Sequence, residues 1–166
     1  MKLSESQEKF IQTWGVLGGN WGINKTMAQI HALLMASSTP LCTEDMMEAL
    51  TISRGNTNMN VRVLVEWGLV TKEMVSGDRK DYYAAKKDIW VIARQIAKQR
   101  KSRELEPVLN SLQEIKLAMA KEGNTDEAFA KQIEDIENFT LKVDQMLTKF
   151  VESDESWFYK IVLKLM

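Results

Sequence analysis

The 166-residue sequence has one cysteine, one histidine and two prolines, and this scarcity excludes several classes of protein. A single thiol, Cys42, cannot form a disulfide within the chain and fits the reducing cytoplasm. One histidine and one cysteine do not supply a zinc ligand set, and the carboxylates show no paired ligand spacing, so we expect no metal and no cofactor. No apolar run approaches the length of a membrane span, and no secretory apolar segment begins the chain. These absences predict a cytoplasmic protein without a membrane segment.

The signatures of common enzyme classes are missing as well. No glycine-rich phosphate loop precedes a predicted helix, and we interpret Gly18 and Gly19 as part of a break between two helices. Nothing in the chain points to a Ser-His-Asp arrangement. The one histidine, His31, lies within a predicted helix, where a structural role is the simpler interpretation. The sequence therefore favours a protein that is not an enzyme.

Charge is segregated along the chain although the net charge is only −1. Residues 51–103 carry 12 Lys/Arg against 5 Asp/Glu, a net of +7. Residues 104–166 carry 7 against 13, a net of −6, and residues 1–50 carry 3 against 5. A basic middle segment between acidic flanks suggests an acidic partner, of which nucleic acid is the commonest.

A helix with one polar side is predicted inside this basic segment. Ser53 is a suitable N-cap. Gly68 stands directly after the predicted helix, at the position where a glycine commonly ends a helix. The predicted inward residues recur at helical spacing: Thr57, Val61, Leu64, Val65 and Gly68. The predicted outward residues are Arg54, Asn56, Asn58, Met59 and Arg62. Because Arg and Asn side chains match guanine and adenine edges in the major groove, this helix is a candidate recognition helix.

A basic hairpin is predicted directly after this helix. Two strands, 69–75 and 81–85, are joined by a polar turn that carries Arg79 and Lys80. A basic side chain on such a hairpin can reach phosphates or the minor groove. Asp78 in the same turn would repel phosphate, so we expect it to orient Arg79 or the backbone.

The order of the predicted elements is that of a winged helix-turn-helix domain. The elements before the candidate recognition helix are a helix over 4–19, a helix capped by Asn24, a strand at 41–42, a helix capped by Thr43 that runs to Leu50, and a turn at 51–52. We therefore predict a mainly α fold with a DNA-binding domain over 1–86, a two-stranded β wing, and a helical dimerisation region over 87–166.

The helical region carries an apolar seam with alternating spacings of four and three. Its members are Phe129, Ile133, Ile136, Thr140, Val143, Leu147 and Phe150. Such a seam needs a partner, and a homodimer would match a palindromic duplex. The alternative is an intramolecular hairpin in a monomer. The apolar tail over 157–166 is too short to span a membrane and is expected to close the dimer interface.

Five tryptophans are many for this length, and aromatic faces can enclose a cationic ligand. A small-molecule effector is therefore an open alternative, although tryptophans at helical positions usually pack in a core or an interface.

Several separated segments resemble the GbsR/MarR family of bacterial transcriptional regulators, namely 52–62, 66–70, 77–83 and 87–90. The resemblance implies a cytoplasmic homodimer that represses transcription at palindromic operators, and the name-giving member responds to choline. It also implies DNA contacts for Ser53, Arg54, Asn56, Asn58 and Arg62 in the helix and for Arg79 and Lys80 in the wing.

We conclude from the sequence that the chain is a sequence-specific regulator that binds double-stranded DNA. The alternative is a winged-helix protein-interaction module that does not bind DNA. The net charge of +7 over 51–103 argues against that alternative.

Overall fold

The computed structural model describes residues 3–20, 23–123, 126–154 and 156. The elements are, in chain order, α1 (Glu5–Asn20), α2 (Lys25–Ala36), β1 (Leu41–Cys42), α3 (Thr43–Leu50), α4 (Arg54–Glu66), β2 (Val70–Met74), β3 (Asp81–Ala85), α5 (Ile89–Arg100), a π-helical turn (Lys101–Leu105), α6 (Glu106–Glu122) and α7 (Glu127–Glu152). The three strands form one antiparallel sheet in the order β1-β3-β2. The predicted mainly α winged-helix fold is thereby confirmed, with β1 as a third strand beside the wing. The chain divides into two compact units, Met1–Ile92 and Ala93–Met166.

Helix α2 forms the centre of the Met1–Ile92 unit. It begins at Asn24, whose Oδ1 accepts a hydrogen bond from the Thr26 N–H at 2.8 Å, as the sequence predicts. Helices α1 and α4 and strand β3 all pack against it. Ile30, Ala32 and Leu33 have no exposed surface at all. Burying each large apolar side chain contributes about 1.5–3 kcal/mol, so this helix fixes the positions of its neighbours.

Two polar side chains, His31 within α2 and Lys87 at its C-terminal end, belong to the packing of this helix. His31 is buried in the helix, and loss of solvation lowers its pKa to about 4, so the imidazole is neutral at physiological pH. Lys87, just after β3, donates from Nζ to the carbonyls of Leu34 at 3.1 Å, Met35 at 2.5 Å and Ser37 at 2.6 Å. A cation at this end of a helix is favourable because the last carbonyls carry partial negative charge. Lys87 thus ties the end of the sheet to the C-terminal end of α2.

Gly18 and Gly19 belong to the predicted helix over 4–19 and not to the break between helices of which the sequence analysis also made them a part. Both lie inside α1, which continues to Asn20. A Cβ atom placed on Gly18 would lie 2.4 Å from the Cβ of Ala28 in α2, whereas one placed on Gly19 would meet nothing within 4 Å. Gly18 therefore serves close helix packing, and a residue with a side chain would separate the two helices.

The start of α3 also differs from the prediction. The N-cap is Cys42, not Thr43, because Cys42 is still extended and pairs with Tyr82 in the sheet. The Asp45 carboxylate accepts a hydrogen bond from the Cys42 N–H at 2.9 Å, which satisfies the helix end from within its first turn. Thr43 is already helical, and its hydroxyl donates to Oδ1 of Asn58 at 3.2 Å.

In the Ala93–Met166 unit, α6 and α7 form an antiparallel pair. Lys116 pairs with Glu137 at 2.7 Å, and Lys101 pairs with Asp144 at 3.1 Å. The π-helical turn ends at Leu105, and Pro107 is the second residue of α6. The proline ring and the missing N–H disrupt regular α-helical hydrogen bonding at this point. Asp126 caps α7 by accepting from the Ala128 N–H at 3.0 Å.

The predicted seam of α7 is only partly covered within this unit. Ile133 and Thr140 are buried, but Phe129 and Ile136 remain exposed. In α5 the buried residue is Ile92, while Ile89 is exposed. The apolar tail over 157–166 lies outside the described residues.

The glycine pair provides a matched test of the α1–α2 packing. We expect Gly18→Ala to lower the free energy of unfolding by about 1–3 kcal/mol, since the new methyl group meets the short, immobile side chain of Ala28. Gly19→Ala, in open space, should instead raise it by about 0.5–1 kcal/mol through helix propensity. Urea denaturation of both variants measures the difference, and equal effects would contradict the packing role of Gly18.

Candidate nucleic-acid interface

Helix α4 is held by its inner side and leaves a polar side outward. Ser53 caps it by accepting from the Asn56 N–H at 3.3 Å, and Thr57 and Val61 have no exposed surface. One assignment from the sequence was wrong. Val65 is exposed, because the packed side of the helix is narrower than the apolar pattern. Asn60, to which the sequence analysis assigned no side, is buried beside Thr57 and Val61.

The end of α4 connects the helix directly to the wing. Gly68 has φ +70°, a conformation that residues with side chains rarely adopt. Its N–H donates to the carbonyl of Val65 at 2.9 Å, and the N–H of Leu69 donates to that of Leu64 at 3.0 Å. These two bonds form a Schellman motif, so the helix ends as predicted and strand β2 begins two residues later.

The wing is a short hairpin with an ordered tip. Gly77 has φ +86°, and the N–H of Asp78 donates to the Val75 carbonyl at 3.1 Å, as in a tight turn. The Asp78 carboxylate accepts from the Lys80 N–H at 3.0 Å and from the Tyr82 hydroxyl at 2.9 Å. These bonds lower the pKa of Asp78, and the same carboxylate raises the pKa of Tyr82 to about 12. Asp78 therefore orients the turn, while Arg79 next to it is exposed.

Two of the three asparagines of α4, Asn56 and Asn58, are half-buried and hydrogen-bonded within the protein. The amide oxygen of Asn56 accepts from Nδ2 of Asn60 at 2.7 Å. The amide oxygen of Asn58 accepts from the Thr43 hydroxyl at 3.2 Å. The amide of Asn56 is thus held at its oxygen, which leaves its NH₂ group as the less constrained end.

Arg54, the first residue of α4, is paired within the protein. Its Nη2 donates to the carboxylate of Glu44 in α3 at 2.6 Å, and both side chains are partly exposed. Hydrogen bonding to the Glu44 backbone N–H and to Arg54 lowers the pKa of Glu44 to about 2. The carboxylate is therefore charged at any physiological pH and is an ion-pair partner of Arg54. Arg62, two turns further along, is exposed.

A cleft of about 550 Å³ lies between α4 and the wing. It is lined by Thr43, Glu44, Arg54, Asn58, Arg62, Val65, Glu66, Lys72, Lys80, Asp81 and Tyr83. Four of the seven residues predicted to contact DNA therefore meet there, while Ser53, Asn56 and Arg79 lie outside its lining. Lys72, which the sequence analysis missed, pairs with Asp81 across the hairpin at 2.9 Å. The sequence could have indicated Lys72, because it is a basic residue within a strand of the predicted wing.

Over the residues that the structure describes, no group of three or more His, Cys, Asp or Glu side chains is arranged to hold a metal ion. The described helices include none with the length and apolar character needed to cross a bilayer.

Comparison with solved structures finds proteins of similar fold. A solved structure described as a transcriptional regulator superposes with a TM-score of 0.65 and 14% sequence identity, covering 88% of this chain and 95% of that chain. No protein-family model matches the sequence, and no curated protein matches it at a significant level. At this identity the match shows a shared fold.

The Glu44–Arg54 pair predicts how DNA affinity responds to a single charge. Glu44→Gln should tighten binding to any duplex by about fivefold per subunit, because it removes one charge that repels phosphates and frees Arg54. Fluorescence anisotropy with two unrelated duplexes measures this change.

Glu8→Gln is the matched control, since it removes the same charge from an exposed position on α1 that does not line the cleft. An equal gain for both variants would mean that net charge, and not the release of Arg54, sets the affinity.

Proposed function

We propose that the protein is a transcriptional regulator that binds double-stranded DNA through α4 and the wing. The observation that carries this proposal is the cleft between these two elements, whose lining includes the basic side chains Arg54, Arg62, Lys72 and Lys80 beside the carboxylates of Glu44, Glu66 and Asp81. Basic side chains around a groove beside an exposed helix suit a phosphate backbone that passes between two contact points. The shared fold with a protein described as a transcriptional regulator supports the same function.

In the proposed complex, the N-terminal part of α4 enters the major groove. Asn56, Asn58 and Arg54 then approach base edges, as the first residues of recognition helices do. Arg62 and Lys72 face the backbone that runs along the cleft. Arg79, exposed at the wing tip, reaches the neighbouring minor groove or its phosphates.

We further propose that the protein acts as a homodimer formed by α6 and α7. The Lys116–Glu137 pair closes one edge of this helix pair. The spacing of residues along both helices places Ile115, Ile136 and Phe139 at the opposite edge, and all three are exposed. A second copy would cover this apolar edge and place two recognition helices on one two-fold axis.

The segments that resemble the GbsR/MarR family lie mainly in α4 and the wing, and we propose membership of that family on their account. The proposal includes repression at palindromic operators and a cytoplasmic location. A small-molecule effector stays a prediction from the sequence, since Trp21 and Trp157 lie outside the described residues.

The salt dependence of binding tests the proposed wing contact and separates a regulator from a winged-helix protein-interaction module. For a duplex bound by the dimer, log K should fall steeply with log salt. Arg79→Ala should flatten that slope by about 0.9 per subunit, or roughly two per dimer, because one phosphate contact is lost from each wing.

Lys131→Ala is the matched control, because it removes one exposed positive charge from α7. Its slope should equal that of the parent. Absence of duplex binding at low salt would instead favour the protein-interaction module.

The oligomeric state tests the proposed interface. Phe139→Glu should convert the dimer to a monomer in light scattering at micromolar concentration, because an unpaired buried carboxylate costs several kcal/mol. The side chain is 69% exposed in the single chain, so the fold of each copy should survive.

Leu117→Glu is the control for exposed apolar surface. Leu117 is 59% exposed but lies about 140° around α6 from the buried Leu112, away from the proposed interface. This variant should stay dimeric. A parent protein of monomer mass would refute the interface outright.

A further inference from the structure

Asn60 is a buried polar residue whose amide orientation the structure determines. Its Nδ2 lies 2.8 Å from the backbone carbonyl oxygen of Asn56 and 2.7 Å from the side-chain oxygen of the same residue. A carbonyl oxygen can only accept, so the Asn60 atom that faces it must be the NH₂ group. The atom of Asn56 at 2.7 Å must then be its oxygen, because two NH₂ groups would repel at that distance.

This contact determines which end of the Asn56 amide points outward. The oxygen is bonded to a residue that is only 3% exposed, while Nδ2 of Asn56 has no hydrogen-bond partner among the described residues. Asn56 is the third residue of α4, in the part of a recognition helix that approaches bases. What Asn56 offers to a ligand is therefore a pair of N–H donors.

Base edges in the major groove differ in how they match such a donor pair. Guanine presents two acceptors, N7 and O6, whereas cytosine presents only the N4 donor. Adenine presents one acceptor beside one donor, and a paired contact with it would need the amide oxygen that Asn60 holds. Thymine offers the single acceptor O4.

We propose that Asn60 is a positioning residue for base specificity, which turns Asn56 so that its NH₂ group contacts guanine. The inference rests on the proposed DNA-binding function and deepens it, because it assigns the chemistry of one operator position. It also replaces adenine, the base that the sequence alone suggests for Asn56. Asn58 is not fixed in this way, because its partner, the Thr43 hydroxyl, can either donate or accept.

Selection from a random duplex pool tests this assignment. The full-length parent protein and Asn56→Ala are compared first, and the position at which the variant loses preference identifies the base that Asn56 contacts. We expect guanine at that position, with cytosine disfavoured by about fivefold or more. A parent preference for adenine or cytosine there, or no lost preference at any position, would overturn the inference.

Asn56→Asp is the sharper variant because it preserves the internal contact. One carboxylate oxygen still accepts from Asn60, and the other replaces the outward NH₂ group with an acceptor. A negative charge in the first turn of a helix is favourable, so the variant should fold. The preferred base should change from guanine to cytosine at that one position, and an unchanged preference for guanine would overturn the inference.

Asn60→Ala tests the positioning role itself. With the amide of Asn56 free to turn over, discrimination at the identified position should fall about fivefold or more, while the other positions and the non-specific affinity stay as in the parent. Full discrimination in a folded Asn60→Ala protein would show that Asn60 has no such role. If Asn60→Ala does not fold, Asn56→Asp decides the assignment.

The two proposals fail in different ways. A parent protein that enriches no sequence would remove the regulatory function together with this inference. A parent that enriches a half-site without the expected guanine would remove the inference alone.

Discussion

The burial of helix α2 is the constraint on which the rest of the Met1–Ile92 unit depends. Ile30, Ala32 and Leu33 have no exposed surface, so α1, α4 and β3 must all lie against one short helix. Gly18 permits the close approach of α1, and Lys87 ties the end of the sheet to the last carbonyls of α2. Helix α4 therefore rests on a rigid support, and only its outer side is available for a ligand.

Polar contacts within the protein then set the outer side chains before any ligand arrives. Asp78 organises the tip of the wing, Asn60 holds one amide, and Glu44 holds the guanidinium of Arg54. Side chains that are already restrained lose less conformational entropy on binding. In the proposed complex the Glu44 pair would have the opposite effect on DNA affinity, because it must be broken or shared before Arg54 could contact a base.

Local chemistry made much of this architecture predictable. Asn24, Ser53 and Gly68 mark helix ends through their own side chains or backbone freedom, and all three do so in the structure. The errors arose where a distant residue decides the outcome. Gly18 packs against Ala28 of the next helix instead of contributing to the break between helices, and the start of α3 is set by the pairing of Cys42 with Tyr82 in the sheet. Lys72 lies in a predicted strand. Its place in the lining of the cleft could not be predicted, because the cleft forms only when α4 and the wing come together in the folded protein.

The Schellman motif at Gly68 has a mechanical consequence for any duplex bound as proposed. Only three residues separate the end of α4 at Glu66 from the start of β2 at Val70. The N–H groups of two of them, Gly68 and Leu69, are bonded back to the helix, so the link between helix and wing is short and restrained. The protein cannot adjust the distance between its two contact points, so the duplex must bend or change its groove width to match. Flexible pyrimidine–purine steps make that deformation less costly, whereas stiff A-tracts resist it. Base pairs that no side chain touches would then influence affinity through their stiffness.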